Sequence, residues 1–329
     1  MWRNLSAALL IFASLLLQDS AHPAAAEPSI ITVTRLPGLP HLPMIIMQEE
    51  KLIEKHLKSA NLGAIEVNWA VLNGAAQVDA LISGRADITD FGLTNLATAW
   101  AATNGRVKAI SGISSVPSYL ITNNPNFKTL RDIQPSDRIG IPSIAVSPQA
   151  IWLKMAAKKE FGDSKYLDRY TVAISAPDAT VALLVKSGGI TTHFSIPPYQ
   201  EQALKDSGIQ KITSSTDIMG AVSTQVVMSA TVRFHDENPK IVAAALAAAK
   251  DAMAIIKDDP NRAADIYLRS TNDSKTSKSD ISNLFKDQEF VYDTKPINVA
   301  PFIGFMEEIG QLRRKPTSWK DLFFEDALK

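Results

Sequence analysis

Hydrophobic and polar positions change period repeatedly along this chain. "SIITVTRL" (Ser29–Leu36) is β-branched and reads as a first strand, broken by the loop "PGLPHLP". "MIIMQEEKLIEKHLKSA" has helical spacing and stops at Asn61 and Gly63. "AIEVNWAVL" alternates as a second strand. "NGAAQVDALISG" is a loop and helix with Gly84 as its C-terminal glycine, and "ADITDFG" is a third strand that runs into the helix "TNLATAWAATNG". "VKAISGISS" is a fourth strand. Strands alternating with helices predict right-handed βαβ units and a mainly parallel sheet with helices on both faces.

A turn-rich stretch, "ITNNPNFKTLRDIQPSDRIGIPS", then reads as a crossing between two lobes. A second α/β set follows: strands in "RIGIP", "YTVAIS", "ITTHFS" and "IQKITSS", with helices in "SPQAIWLKMAAKKEFG", "PDATVALLVKSGG" and "PPYQEQALKDSG". "STQVVMSA" holds one more strand. "ENPKIVAAALAAAKDAMAIIKDDP" is a helix, with Asn238 placed to cap it and Pro239 at its first position. The tail is helical. No internal repeat or low-complexity tract appears.

Composition narrows the class. The 329 residues are 46% hydrophobic and 21% charged, with 34 basic against 34 acidic side chains. That balance gives no reason to expect a nucleic-acid partner. The N-terminus has the form of a secretory signal peptide: a charged "MWRN", an apolar "LSAALLIFASLLL" and small residues ending at Ala24 and Ala26. Residues 1–26 are therefore expected to be removed near Ala26, leaving a soluble periplasmic protein. The absence of Cys rules out a lipid anchor on that residue and suits an oxidising compartment. A buried N-terminal helix is the alternative reading.

Several segments together resemble the periplasmic substrate-binding proteins of ABC importers, in the branch handling nitrate, sulfonates, taurine and thiamine-pyrimidine precursors. They are "VDALISGRADITDFGLTNLATAWAATNGRVKAISGI", "NFKTLRDIQPSDRIGIPSIAVSPQAIWLKMA" and "FHDENPKIVAAALAAAKDAMAIIKDDPNRAADIYL". The chain departs from the family pattern in "SD" before the second-lobe strand and in "GGITTHFS", where the family carries an Asp. The resemblance implies a two-lobed α/β periplasmic-binding-protein fold of type II with a double hinge. Lobe one would be 27–123 plus 220–329, and lobe two 124–219. It further implies a non-enzymatic, cofactor-free monomer that takes a small-molecule ligand and meets an inner-membrane ABC permease and ATPase. Two alternatives share those lobes: a protein that binds or makes a pyrimidine precursor, and a periplasmic sensor input module.

Ligands of open parallel sheets bind beyond the carboxyl ends of the strands. In lobe one that selects Leu36, Gly38 and His41; Asn73 and Gly74; and Gly92, Leu93 and Thr94. In lobe two it selects Ala145, Val146 and Ser147; His193, Phe194 and Ser195; and Met219 at the return. Gly92 lets backbone approach a ligand, Thr94 reads as an N-cap, and "AVSPQ" repeats the design with Ser147 capping ahead of Pro148. Two helix N-termini across a cleft suit a small anion; ordinary capping is the structural alternative. His41 or His193 could donate to an anion, or be plain surface histidines. Phe194 reads more as packing than as a stacking platform, and Arg35 more as a structural ion pair than as an anion fork. Asp87 and Asp90 point to opposite faces of their strand, so they are not a catalytic carboxylate pair. No dinucleotide, P-loop, zinc-protease or serine-hydrolase motif is present. The expected ligand is an organic anion of sulfonate or carboxylate type.

Overall fold

The computed structural model describes residues 28–329 except 145, 187 and 188. The segment expected to be a signal peptide, residues 1–26, and Ala145 therefore lie outside the described residues. Among the described residues, ten strands form two five-stranded sheets. The first takes β1 (Ile30–Arg35), β2 (Glu66–Val71), β3 (Ile88–Gly92), β4 (Val107–Ser114) and, from much later in the chain, β10 (Val226–Thr231), in the order β2-β1-β3-β10-β4. The second takes β5 (Tyr119–Thr122), β6 (Ile139–Ile141), β7 (Thr171–Ala173), β8 (Thr192–Ser195) and β9 (Gln210–Ser214), in the order β7-β6-β8-β5-β9. Each sheet is parallel except for one strand: β10 runs antiparallel to both neighbours in the first, and β5 does so in the second. These two are the strands through which the chain enters the second sheet and returns to the first.

Helices cover the faces. Around sheet one lie α1 (Leu42–Glu49), α2 (Leu52–Ser59), α3 (Gly74–Ile82), α4 (Leu93–Ala102) and, in the return segment, α9 (Val232–Glu237), α10 (Pro239–Asp258), α11 (Pro260–Thr271) and α12 (Lys278–Leu284). Around sheet two lie α5 (Pro148–Phe161), α6 (Ala176–Val185), α7 (Tyr199–Leu204) and α8 (Ser215–Met219). The last helix, α13 (Ala300–Glu308), packs on α5, where Phe302 meets the Trp152 ring edge-on at 6.1 Å. One apolar core joins β1, α1, α2, α10 and α11; a second runs from α4 through α5 to α13 and so spans both lobes.

Three sequence expectations change. The helix expected across residues 44–60 is two helices, because Lys51 adopts a left-handed conformation (φ 52°) that ends α1 and restarts the chain as α2. Strand β5 is not among the expected strands; it begins two residues ahead of the turn-rich stretch and takes in its first two residues, Ile121 and Thr122. Residues 193–195, expected in a loop, belong to β8.

Candidate functional site between the lobes

Strand β3 runs into α4 without a linker. Gly92 is the N-cap residue (φ −64°, ψ 153°), and no side chain caps the helix. Thr94 is thus the second helical residue rather than the cap. The Leu93 N–H donates to the Gln225 carbonyl (2.9 Å) at the start of β10. Thr94 is fully buried, and its hydroxyl has no partner among the described residues. Opposite stands the N-terminus of α5, built as its sequence predicts: the Ser147 Oγ accepts from the Ala150 N–H (3.3 Å) and Pro148 takes the first position. The two helix ends touch. A Cβ placed on Gly92 would sit 2.8 Å from Pro148 Cγ, so glycine is what allows the approach.

A second contact closes the lobes beside the first. The Leu39 N–H donates to the Pro197 carbonyl (3.2 Å), and Gly38 (φ 102°) lies against Ile196. Leu36 and His41, on the same loop, are held by Asp90. That carboxylate is fully buried and accepts from His41 Nδ1 (2.7 Å), the Leu36 N–H (3.2 Å) and Gln77 Nε2 (3.2 Å). Three donors on one carboxylate fix the loop that carries Gly38 to lobe two.

The crossover strands add polar atoms at the floor of the junction. The Gln225 N–H donates to the Ser114 carbonyl (2.8 Å) and its Nε2 to Ser118 Oγ (3.4 Å). Gln225 Oε1, Ser114 Oγ and Ser195 Oγ are buried and, like Thr94 Oγ1, have no partner among the described residues. A buried polar atom without a partner is costly, and most such atoms in native proteins bond to protein, water or ligand. Asn95 lies beside both Gly74 and Gly92, its amide 3.2 Å from where a Gly74 Cβ would be. Asn73 caps α3 through its Oδ1 and the Ala76 N–H (2.9 Å).

The remaining expected residues sit elsewhere. Val146 lies in the turn before Ser147. Phe194 is a core residue, tilted against Trp152 at 5.8 Å. Met219 ends α8 and packs on the α5 core. Arg35 turns away from the junction: its Nε donates to Gln48 Oε1 (2.6 Å) and its terminal nitrogen to Ser270 Oγ (3.2 Å). His193 is buried inside β8, beside Gly140 of β6, with neither ring nitrogen partnered. Burial alone pulls its pKa down to about 3. The folded protein therefore holds it neutral while the unfolded chain protonates near its ordinary value. Stability from this residue is complete above about pH 6.5 and lost progressively as pH falls toward 3. His193→Leu is expected to flatten urea-melting stability across that window; an unchanged acid slope would show that other groups set it.

Gln225 and Ser114 were not selected from sequence, because residues distant along the chain bring them together. A groove of about 700 Å³ exists at the other end of lobe one, flanked by Asp87, Arg106 and Arg233, away from both helix ends. Among the described residues no three His, Cys, Asp or Glu side chains are grouped to hold a metal ion, and no helix is long and apolar enough to cross a membrane.

Comparison with solved structures places this architecture. The alkanesulfonate-binding protein of Xanthomonas axonopodis pv. citri, solved bound to MOPS, matches at TM-score 0.71 and 12% identity over 93% of this chain and 99% of that one. The periplasmic aliphatic sulphonate-binding protein of Escherichia coli matches at 0.69 and 16% over 91% and 100%. The periplasmic nitrate-binding protein of Synechocystis PCC 6803 matches at 0.66 and 14% over 90% and 84%. This is the two-lobed periplasmic-binding-protein fold. Neither a family model nor a curated protein sequence matches the chain. In this fold the junction described above is the interlobe cleft, and domain junctions are a usual place for small-molecule sites.

Proposed function

We propose that this chain is the solute-binding component of an ABC importer, working in the periplasm. It closes its lobes on a small organic anion, sulfonate or carboxylate in type, and delivers it to a permease driven by an ATPase. The observation that carries the reading is the uncapped N-terminus of α4, abutting that of α5 and surrounded by buried, unpartnered Thr94, Ser114 and Gln225 atoms. Helix-terminal N–H groups and hydroxyls disperse a single negative charge without a cationic side chain. Arg35, the cation nearest these loops in sequence, is committed to Gln48 and Ser270.

The test is a thermal-shift screen of the mature protein against alkane- and arylsulfonates, aromatic carboxylates, nitrate, pyrimidines and pyridoxal phosphate. A ligand at a hundredfold excess over Kd stabilises by about 2.7 kcal/mol, a visible shift. A saturable shift with an organic anion recovered unchanged supports the reading. A shift with pyridoxal phosphate alone, or turnover of a hit, overturns it.

Thr94→Val sharpens the test. The hydroxyl bonds to nothing in the protein, so its removal is expected to leave stability the same or slightly higher while weakening the hit's binding by roughly tenfold. Calorimetry with the hit, set beside a urea melt, separates the two effects. Equal affinity would remove Thr94 from the site.

A further inference from the structure

We propose that Glu201 couples closure of the two lobes to uptake of a proton. Helix α7 is the part of lobe two that rests on lobe one behind the helix-end contact. Gln202 reaches Thr276 Oγ1 (2.5 Å) and Asp273 Oδ2 (3.1 Å), and Lys205 reaches Asp280 (2.6 Å). Glu201 immediately precedes Gln202 on the same helix and is four residues ahead of Lys205. Its Oε1 accepts from Gln200 Nε2 (2.9 Å), but its Oε2 is shut off from water with no partner among the described residues. A carboxylate in such a place normally has a cation or several donors. Glu201 has neither.

The groups around it are neutral or acidic. Tyr292 approaches from lobe one, its hydroxyl already donating to the Leu39 carbonyl (3.0 Å). Tyr119 approaches from β5, and Glu201 together with Glu289, Asp287 and Asp217 helps burial push that phenol up to about 12. Lys211 stands over the Tyr119 ring at 4.3 Å, and its ammonium is 3.8 Å from Asp217. Lys205, on the same helix, is paired with Asp280. Only Gln200 and the residue's own backbone N–H favour the charged form of Glu201, and burial outweighs them and raises the pKa to about 7.

The sign follows from which state is solvated. When the lobes part, Tyr292 and the segment carrying Asp273, Thr276 and Asp280 withdraw from α7 and the carboxyl regains water, returning toward its ordinary value of 4.5. The closed form therefore binds the proton more tightly, and closing takes one up. This contribution to closure is complete below about pH 4.5 and is lost as pH rises through 7, by at most tenfold per unit and roughly seventyfold between pH 5 and 8. Ligand capture that depends on closure inherits the same slope. The inference needs no ligand, so it can fail while the transport reading stands, or stand while that reading fails.

The chain lacks cysteine, so a Ser59→Cys/Lys159→Cys pair labels one exposed position on α2 and one on α5 without background. Spin-label or fluorescence distances on the ligand-free protein then report closure directly. The expected result is a closed population that falls between pH 5 and 8 and becomes independent of pH in Glu201→Gln, which mimics the protonated acid. Distances in the parent that do not move with pH, or a Glu201→Gln variant that keeps the parent's slope, would overturn the proposal. The parent measurement decides the matter even if the glutamine variant does not fold.

Discussion

Gly92→Ala is expected to leave the protein folded and to cost it ten- to a hundredfold in affinity for the ligand found by screening. The backbone at Gly92 (φ −64°, ψ 153°) is one that any residue adopts, so alanine introduces no local strain. What it introduces is a methyl 2.8 Å from Pro148 Cγ and 3.1 Å from Cδ. Pro148 cannot swing aside, because its ring is fixed in the backbone at the first turn of α5. The clash exists only when the lobes are together. Overpacking of this kind costs about 1–3 kcal/mol, and here the whole amount falls on closure. Isothermal titration with wild type and variant, alongside thermal melts without ligand, checks both halves. A variant that binds normally would mean that the ligand-bound protein does not bring Gly92 and Pro148 into contact.

The second large effect concerns the fold itself. Asp90→Ala is expected to destabilise the protein by about 3 kcal/mol or more, the range for removing one member of a buried, hydrogen-bonded charge network. His41, the Leu36 N–H and Gln77 lose their common acceptor at once, and Arg35 loses the nearby charge that favours its ionised form. Asp90→Asn keeps one acceptor oxygen and should lose clearly less. Urea titration of both variants gives the comparison. A loss under about 1 kcal/mol for alanine would show that solvent replaces the carboxylate freely.

Sheet one was legible because each of its first three strands is a β-branched or alternating run followed by helical spacing, and the helix before β4 closes at Gly105. The cap at Ser147 was legible for a local reason: a side chain, its helix and the residue three positions on are all in one short window. Strand β5 was hidden because its four residues stand between Pro117 and the Asn123–Pro125 turn, whose signals outweighed them. The break at Lys51 carries no glycine to announce its positive φ. His193 was misplaced because β8 continues to Ser195, so the loop that reaches lobe one is Ile196–Pro197 instead. Gln225 meets Leu93 only because β10 inserts between β3 and β4, a long-range pairing that no local pattern records.

The late return of β10 and α13 sets the order in which the chain can finish. The gap between β3 and β4 stays open until residues 226–231 arrive, after all of sheet two has been synthesised. The Trp152 face of α5 stays bare until Phe302 arrives later still. A chain that emerges from its N-terminus thus cannot lock either lobe until most of it is available. Its last thirty residues supply the cover, and a truncation ahead of α13 would leave an apolar surface exposed on an otherwise nearly finished molecule.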